Sequence, residues 1–130
     1  MKAPLVVLGA TGGVGRGVVQ AAIDSGRPVI AVARQASELK ALKAGYPHAD
    51  LTTIAGSVSS DAAGAKLARA LRKLDRPLAG VVAAVCGGAE RGRLLDNPAD
   101  FLRRKLDEDL LPHLAAARHL LPLLAQYDRG

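Results

Sequence analysis

Four short stretches without a charged side chain recur along the chain: Leu5-Val-Val-Leu8, Val29-Ile-Ala-Val-Ala33, Leu51-Thr-Thr-Ile-Ala55 and Leu78 to Val85. Runs this short and this apolar predict strands covered on both faces, as in a parallel sheet. Between them lie longer segments with helical spacing. Val14 to Ser25 reads as a helix with Val14, Val18, Ala21 and Ala22 on one face, stopped by Gly26 and by Pro28, which cannot continue it. Ser37 to Ala44 reads as a short helix capped by Ser37, and Ser60 to Leu74 as a longer one. Asn97-Pro98 opens the last helix, because Asn caps well, Pro suits the first helical position and Asp100 sits near the positive helix end. Leu106, Leu110, Leu114, Ala117, Leu121 and Leu124 form one face of it, and Pro112 should kink it or divide off a lead-in helix. No repeat, low-complexity tract or linker interrupts the alternation, so residues 1–130 read as one α/β domain. Right-handed crossovers then predict a parallel sheet in order 3-2-1-4, with a ligand cleft between the C-terminal ends of strands one and four.

Gly9-Ala-Thr-Gly-Gly-Val-Gly15 stands between the first strand and the first helix. Glycines also serve ordinary turns, so the weight of this motif comes from its setting of strand, turn, helix and second strand. In that setting Gly9 allows the tight turn, Gly13 a close approach of phosphate to main chain, and Gly15 close packing of helix on sheet. Thr11, Gly12 and Val14 complete the cradle, and amide groups at the helix start face an anion. The expected ligand is a dinucleotide. At the end of the second strand, where an Asp or Glu would accept hydrogen bonds from a ribose hydroxyl, the chain has Ala33-Arg34. A guanidinium there suits the 2′-phosphate of NADP, which it can grip through two parallel bonds. On position alone Arg34 also reads as a solvated loop residue, and Arg16 as an exposed one.

The net charge of +6 and a pI near 10.0 raise nucleic acid as a partner. The basic residues are nevertheless scattered among acids, as in Arg103-Arg-Lys-Leu-Asp-Glu-Asp109, and only Tyr46, Phe101 and Tyr127 offer aromatic faces. Solvated helix faces account for the charge, and nucleic acid is not expected. One cysteine, Cys86, cannot form an internal disulfide, which points to a reducing compartment. His48, His113 and His119 have no metal-ligand spacing, so no metal is expected. The first residues lack a cleavage-site pattern and no apolar stretch approaches the roughly 20 residues of a membrane span. A soluble, cytoplasmic protein is the expectation.

Taken together these residues resemble the short-chain dehydrogenases/reductases over essentially the whole chain. Gly9-x-x-x-Gly13-x-Gly15 has that family's glycine spacing, with Leu8 where its common form has Thr. Gly9-x-x-Gly12-x-x-Gly15 equally has the spacing of its extended and atypical branches, so the branch stays open. The resemblance implies a Rossmann-like doubly wound sheet, with Ala33-Arg34 as the NADP-type ending of strand two. It places Ser57 and Val58 beside the adenine, where the family has Asp-Val, and Ala84 and Gly87 in the Asn-Asn-Ala-Gly position after strand four, of which only the Gly is kept. Asp109 falls where a helix Asn of the family helps to hold a relay water. A carboxylate there is a departure.

The family's catalytic Ser and Tyr-x-x-x-Lys are absent from these residues, because the sequence reaches Gly130 where a fifth strand is due. Neither Tyr46 nor Tyr127 has a Lys four residues on. The resemblance therefore implies the NADP-binding part of an oxidoreductase that moves a hydride between NADP(H) and a carbonyl or alcohol substrate, truncated before strand five, with no catalytic residue in this chain. The other reading is a non-catalytic NADP-binding sensor. Strand four, built for an interior position, becomes an edge here, so the chain by itself is expected to self-associate, aggregate or loosen its C-terminal helix, whereas a stable monomer would favour the sensor.

Overall fold

The computed structural model describes residues 2–86 and 93–125. Strands β1 (Leu5–Leu8), β2 (Val29–Ala33), β3 (Leu51–Ala55) and β4 (Gly80–Ala83) form one parallel sheet in the order β3-β2-β1-β4. Helices α1 (Gly13–Asp24), α2 (Ala36–Ala44), α3 (Asp61–Lys73), α4 (Ala99–Asp109) and α5 (Leu111–Ala125) cover it, with a short 3-10 turn at Leu94–Asp96. In register, Leu8 lies between Val32 on β2 and Ala83 on β4. The glycine turn thus leaves the sheet at its centre.

Alternation along each strand divides the core in two. Val6, Leu8, Ile30 and Val32 point to one face and pack with Leu67, Leu71, Ala116 and Leu120 of α3 and α5. Val7, Val29, Ala31 and Ala33 point to the other and pack with Val19, Ala22, Leu39 and Leu42 of α1 and α2. Every residue of β2 is buried, which is why that strand carries no polar position.

Strands β1, β2 and β3 have the bounds read from the sequence, whereas β4 is shorter than the apolar run from Leu78 to Val85. Leu78 is buried but precedes the ladder, which Ala79 enters by donating its amide to the Pro4 carbonyl. Helix α3 begins as expected, the Ser60 hydroxyl accepting from the Ala63 amide at 3.1 Å. Ser37 is not a cap, because α2 starts one residue earlier with Gln35 in the capping position and no side-chain bond. Asn97 is not one either. Its amide donates to the Arg93 carbonyl at 2.7 Å, and extended Pro98 occupies the capping position of α4. Pro112 falls in the first turn of α5, where a missing N–H breaks no bond, and the chain divides at Leu110.

Two helix faces differ from the hydrophobic pattern. In α1 the buried residues are Gly15, Val19 and Ala22, while Val14 is 75% exposed and Ala21 also faces out. In α5 the core side chains are Ala115, Ala116, Leu120 and Leu123, and Leu106, Leu110, Leu114 and Leu121 lie on the outside with Ala117. Of the expected face only Leu124 packs against the core. The cause is close approach. Gly64 on α3 admits the His119 ring so closely that a Cβ there would sit 2.6 Å from its Cδ2. With His119 seated there, Ala115, Ala116, Leu120 and Leu123 face inward, and Leu114 and Leu121 face out.

Candidate functional site

A cleft of about 780 Å³ opens where β1 and β4 part at the C-terminal edge of the sheet. This is the topological switch point, where the chain leaves neighbouring strands in opposite directions. Its floor is Leu8 and Gly9, one wall is the end of β2 with Arg34, and the other is Ala84 to Cys86. Gly56 to Ser59 after β3 and Asp107, Glu108 and Pro112 border the rest.

Gly9 turns with φ +74°, and a Cβ on it would lie 2.2 Å from the Ala84 carbonyl oxygen. The amides of Gly9 and Ala10 both donate to the Val32 carbonyl, at 3.0 and 3.1 Å, so the turn is clamped to β2. The Gly9 carbonyl accepts from the Gly12 amide at 3.1 Å and blocks any side chain at Gly15, whose Cβ would come within 1.9 Å of it. Arg16 holds the loop from outside, its Nε donating to the Thr11 carbonyl at 2.9 Å. Gly9 and Gly15 are thus required by the fold itself.

Gly12 and Gly13 are not. Gly12 is ordinary extended backbone, a Cβ on it would meet nothing nearer than 3.4 Å, and around Gly13 nothing lies within 4 Å. Helix α1 has no side-chain cap and no acid in its first turn, so its leading amides keep their positive end open to an anion. Room and donors together fit a pyrophosphate. Of the expected cradle, Gly9, Thr11 and Gly12 border the cleft, whereas Gly13, Val14 and Gly15 do not.

Arg34 borders the cleft beside Gln35, exposed and without an ion pair among the described residues. Ser57, Val58 and Ala84 border it as well, and Gly87 lies outside the described residues. The Ser57 hydroxyl is engaged in its own turn, donating to the Ser59 oxygen at 2.7 Å and accepting the Ser59 amide at 2.9 Å. Val58 is buried in the core below it. Asp109 turns instead to Lys105, at 3.8 Å, and the acids of α4 at the rim are its neighbours Asp107 and Glu108. A ring nitrogen of His113 bonds the Val85 carbonyl at 3.0 Å, tying the start of α5 to the wall after β4. Tyr46 is remote, donating to Gln20 at 2.6 Å beside a second cavity near Asp50.

One wall residue was not evident from the sequence. Glu38, in the first turn of α2, borders the cleft and accepts the Thr11 hydroxyl at 3.0 Å. Its spacing of four from Arg34 was the only local signal.

Sequence and structure comparisons agree with this geometry. No curated protein matches the sequence. Among solved structures, a short-chain dehydrogenase from Streptomyces avermitilis superposes with a TM-score of 0.82 at 24% identity, over 100% of this chain and 47% of that one. Serine dehydrogenase from Escherichia coli gives 0.82 at 20%, over 98% and 58%. The NADPH-bound short chain oxidoreductase with an atypical catalytic center from Pseudomonas aeruginosa PAO1 gives 0.80 at 22%, over 96% and 50%. The chain spans about half the length of these structures. No helix among the described residues is long and apolar enough to cross a membrane. Residues 9–119, which run from the first glycine of the turn to the histidine seated in the α3 notch, match the NAD(P)H-binding family, and the chain belongs to it, with the fold of the short-chain dehydrogenases/reductases.

Proposed function

We propose that this chain is the NADP(H)-binding portion of a short-chain oxidoreductase acting on a carbonyl or alcohol substrate. The observation that carries the reading is Arg34. It stands at the end of β2 on the wall of the cleft floored by the glycine turn, next to Ala33 instead of an acid. In this reading Gly12 and the open amides of α1 hold the pyrophosphate, Arg34 holds the 2′-phosphate, and Val58 and Ala84 flank the adenine side and the wall after β4. Bound NADPH supplies the hydride. The chain's own part is to orient the dinucleotide and to keep water from its inner face through the apolar floor of Leu8 and Val32.

Tyr46 cannot serve as the acid of the reaction, since it points away from the cleft and has no Lys four residues on. The 130 residues alone are therefore expected to bind without turnover. Fluorescence titration tests the binding: NADPH should bind more tightly than NADH, and Arg34→Asp should reverse the order. An unchanged preference would remove Arg34 from the site. NADPH oxidation over a panel of carbonyl compounds tests the rest, and a rate that survives further purification would call for an acid within this chain, with Asp107 and His113 the first to substitute. Cofactor binding with no turnover even in a longer chain would favour the sensor.

A further inference from the structure

We infer that Glu38 is a second cofactor-specificity residue, set against Arg34, and that preference at this cleft is a balance between the two. The inference rests on the NADP reading above and deepens it. The end of β2 lacks an acid, but the cleft does not. Glu38 reaches the same wall from the first turn of α2, and its Oε2 accepts the Thr11 hydroxyl at 3.0 Å across 27 positions of sequence. The bond joins α2 to the glycine loop and fixes the carboxylate beside the phosphate cradle.

Arg34 and Glu38 border one cleft four residues apart, yet no ion pair joins them, and neither has another charged partner among the described residues. An exposed pair that fails to close leaves both charges directed at whatever enters. A carboxylate with one oxygen held by Thr11 keeps acceptor capacity on the other, enough for a ribose hydroxyl. The same charge repels a 2′-phosphate, which carries about −1.5 to −2 at neutral pH. Arg34 acts in the opposite sense. The acid that selects unphosphorylated ribose has thus been moved from the strand end to the next helix.

Glu38→Gln isolates the charge, because the amide oxygen can still accept from Thr11. NADPH and NADH dissociation constants are measured by fluorescence on the 130-residue chain, wild type and variants, at low and high salt. Glu38→Gln should raise the NADPH-over-NADH preference about tenfold, about 1.4 kcal/mol, and the gain should shrink as salt screens the charge. Thr11→Val should weaken both cofactors alike and leave the ratio within about twofold. A ratio unmoved by Glu38→Gln but lowered by Arg34→Asp refutes this inference and leaves the NADP reading standing. If neither substitution moves the ratio, or neither dinucleotide binds, both fall. A Thr11→Val effect on the ratio equal to that of Glu38→Gln would mean that Glu38 acts by holding the loop and not by its charge, which also overturns the inference.

Discussion

Two glycines of α1 should respond in opposite directions to the same substitution. At Gly15 an added Cβ meets only backbone: the Gly9 oxygen at 1.9 Å, the Gly9 carbonyl carbon at 2.7 Å and the Ala10 Cα at 3.0 Å. No side chain can rotate away, so the helix must retreat from the sheet by roughly 1 Å, a large movement in a close-packed interior. Retreat strains the bond from Gly12 to the Gly9 carbonyl and loosens Val19 and Ala22 in the core. Overpacking of this kind costs about 1–3 kcal/mol, and rigid backbone belongs at or above the upper end. Alanine's better helix propensity returns about 1 kcal/mol. The net expectation for Gly15→Ala is a loss of about 2 kcal/mol, a sizeable part of the roughly 5–15 kcal/mol that holds a domain together. Gly17, two residues on, is exposed with nothing within 4 Å of its would-be Cβ, so Gly17→Ala should gain about 0.8–1 kcal/mol. Urea denaturation followed by far-ultraviolet circular dichroism gives both numbers. Shifts of the same sign, or a Gly15→Ala chain as stable as wild type, would refute the argument from close approach.

Gly12→Val should keep the fold, since the position is extended and open, but abolish NADPH binding; binding at wild-type strength would place the pyrophosphate elsewhere. Asp61 accepts a hydrogen bond from His119 at 2.9 Å and faces Arg118 at 3.5 Å, and these two, the hydrogen bond first, hold its carboxyl below the usual range. A lowered folded-state value means stability that is present above the unfolded carboxylate pKa of about 3.9 and lost as pH falls through the folded one. Asp61→Asn should therefore flatten the acid limb of a stability-against-pH curve, and an unaltered limb would show that the contact contributes nothing. Strand β4 is an edge of the four-stranded sheet, and Leu114 and Leu121 of α5 are exposed. The 130-residue chain should accordingly self-associate in light scattering, and a monomer with fully protected β4 amides would contradict this.

What could be read from the sequence, and what could not, follows from the range of the interactions involved. Strands β1 and β2 were legible to the residue because a central parallel strand must be apolar on both faces, a property contained within its own few positions, while β3, an edge strand with only Leu51 fully buried, was legible from its β-branched run Thr52-Thr-Ile54. Helix faces were not, because a hydrophobic pattern gives no weight to glycine and equal weight to every leucine. Gly15 is buried for lack of a side chain, while Val14 beside it is left outside. On α5 the notch at Gly64 seats His119 and so turns Ala115, Ala116, Leu120 and Leu123 inward, and that notch belongs to a helix some fifty residues earlier. The cleft divides along the same line. Arg34 was legible as a charge directly after a buried strand, and Gly9 as the residue that turns out of one. Glu38 resembled any first-turn acid, of the sort that stabilises a helix start without further consequence. The bond to Thr11 joins it to the glycine loop, and it borders the same cleft as Arg34. A motif confined to the end of β2 therefore shows only one of the two charges on this wall of the cleft, because the other is placed by a contact between two segments that the sequence keeps apart.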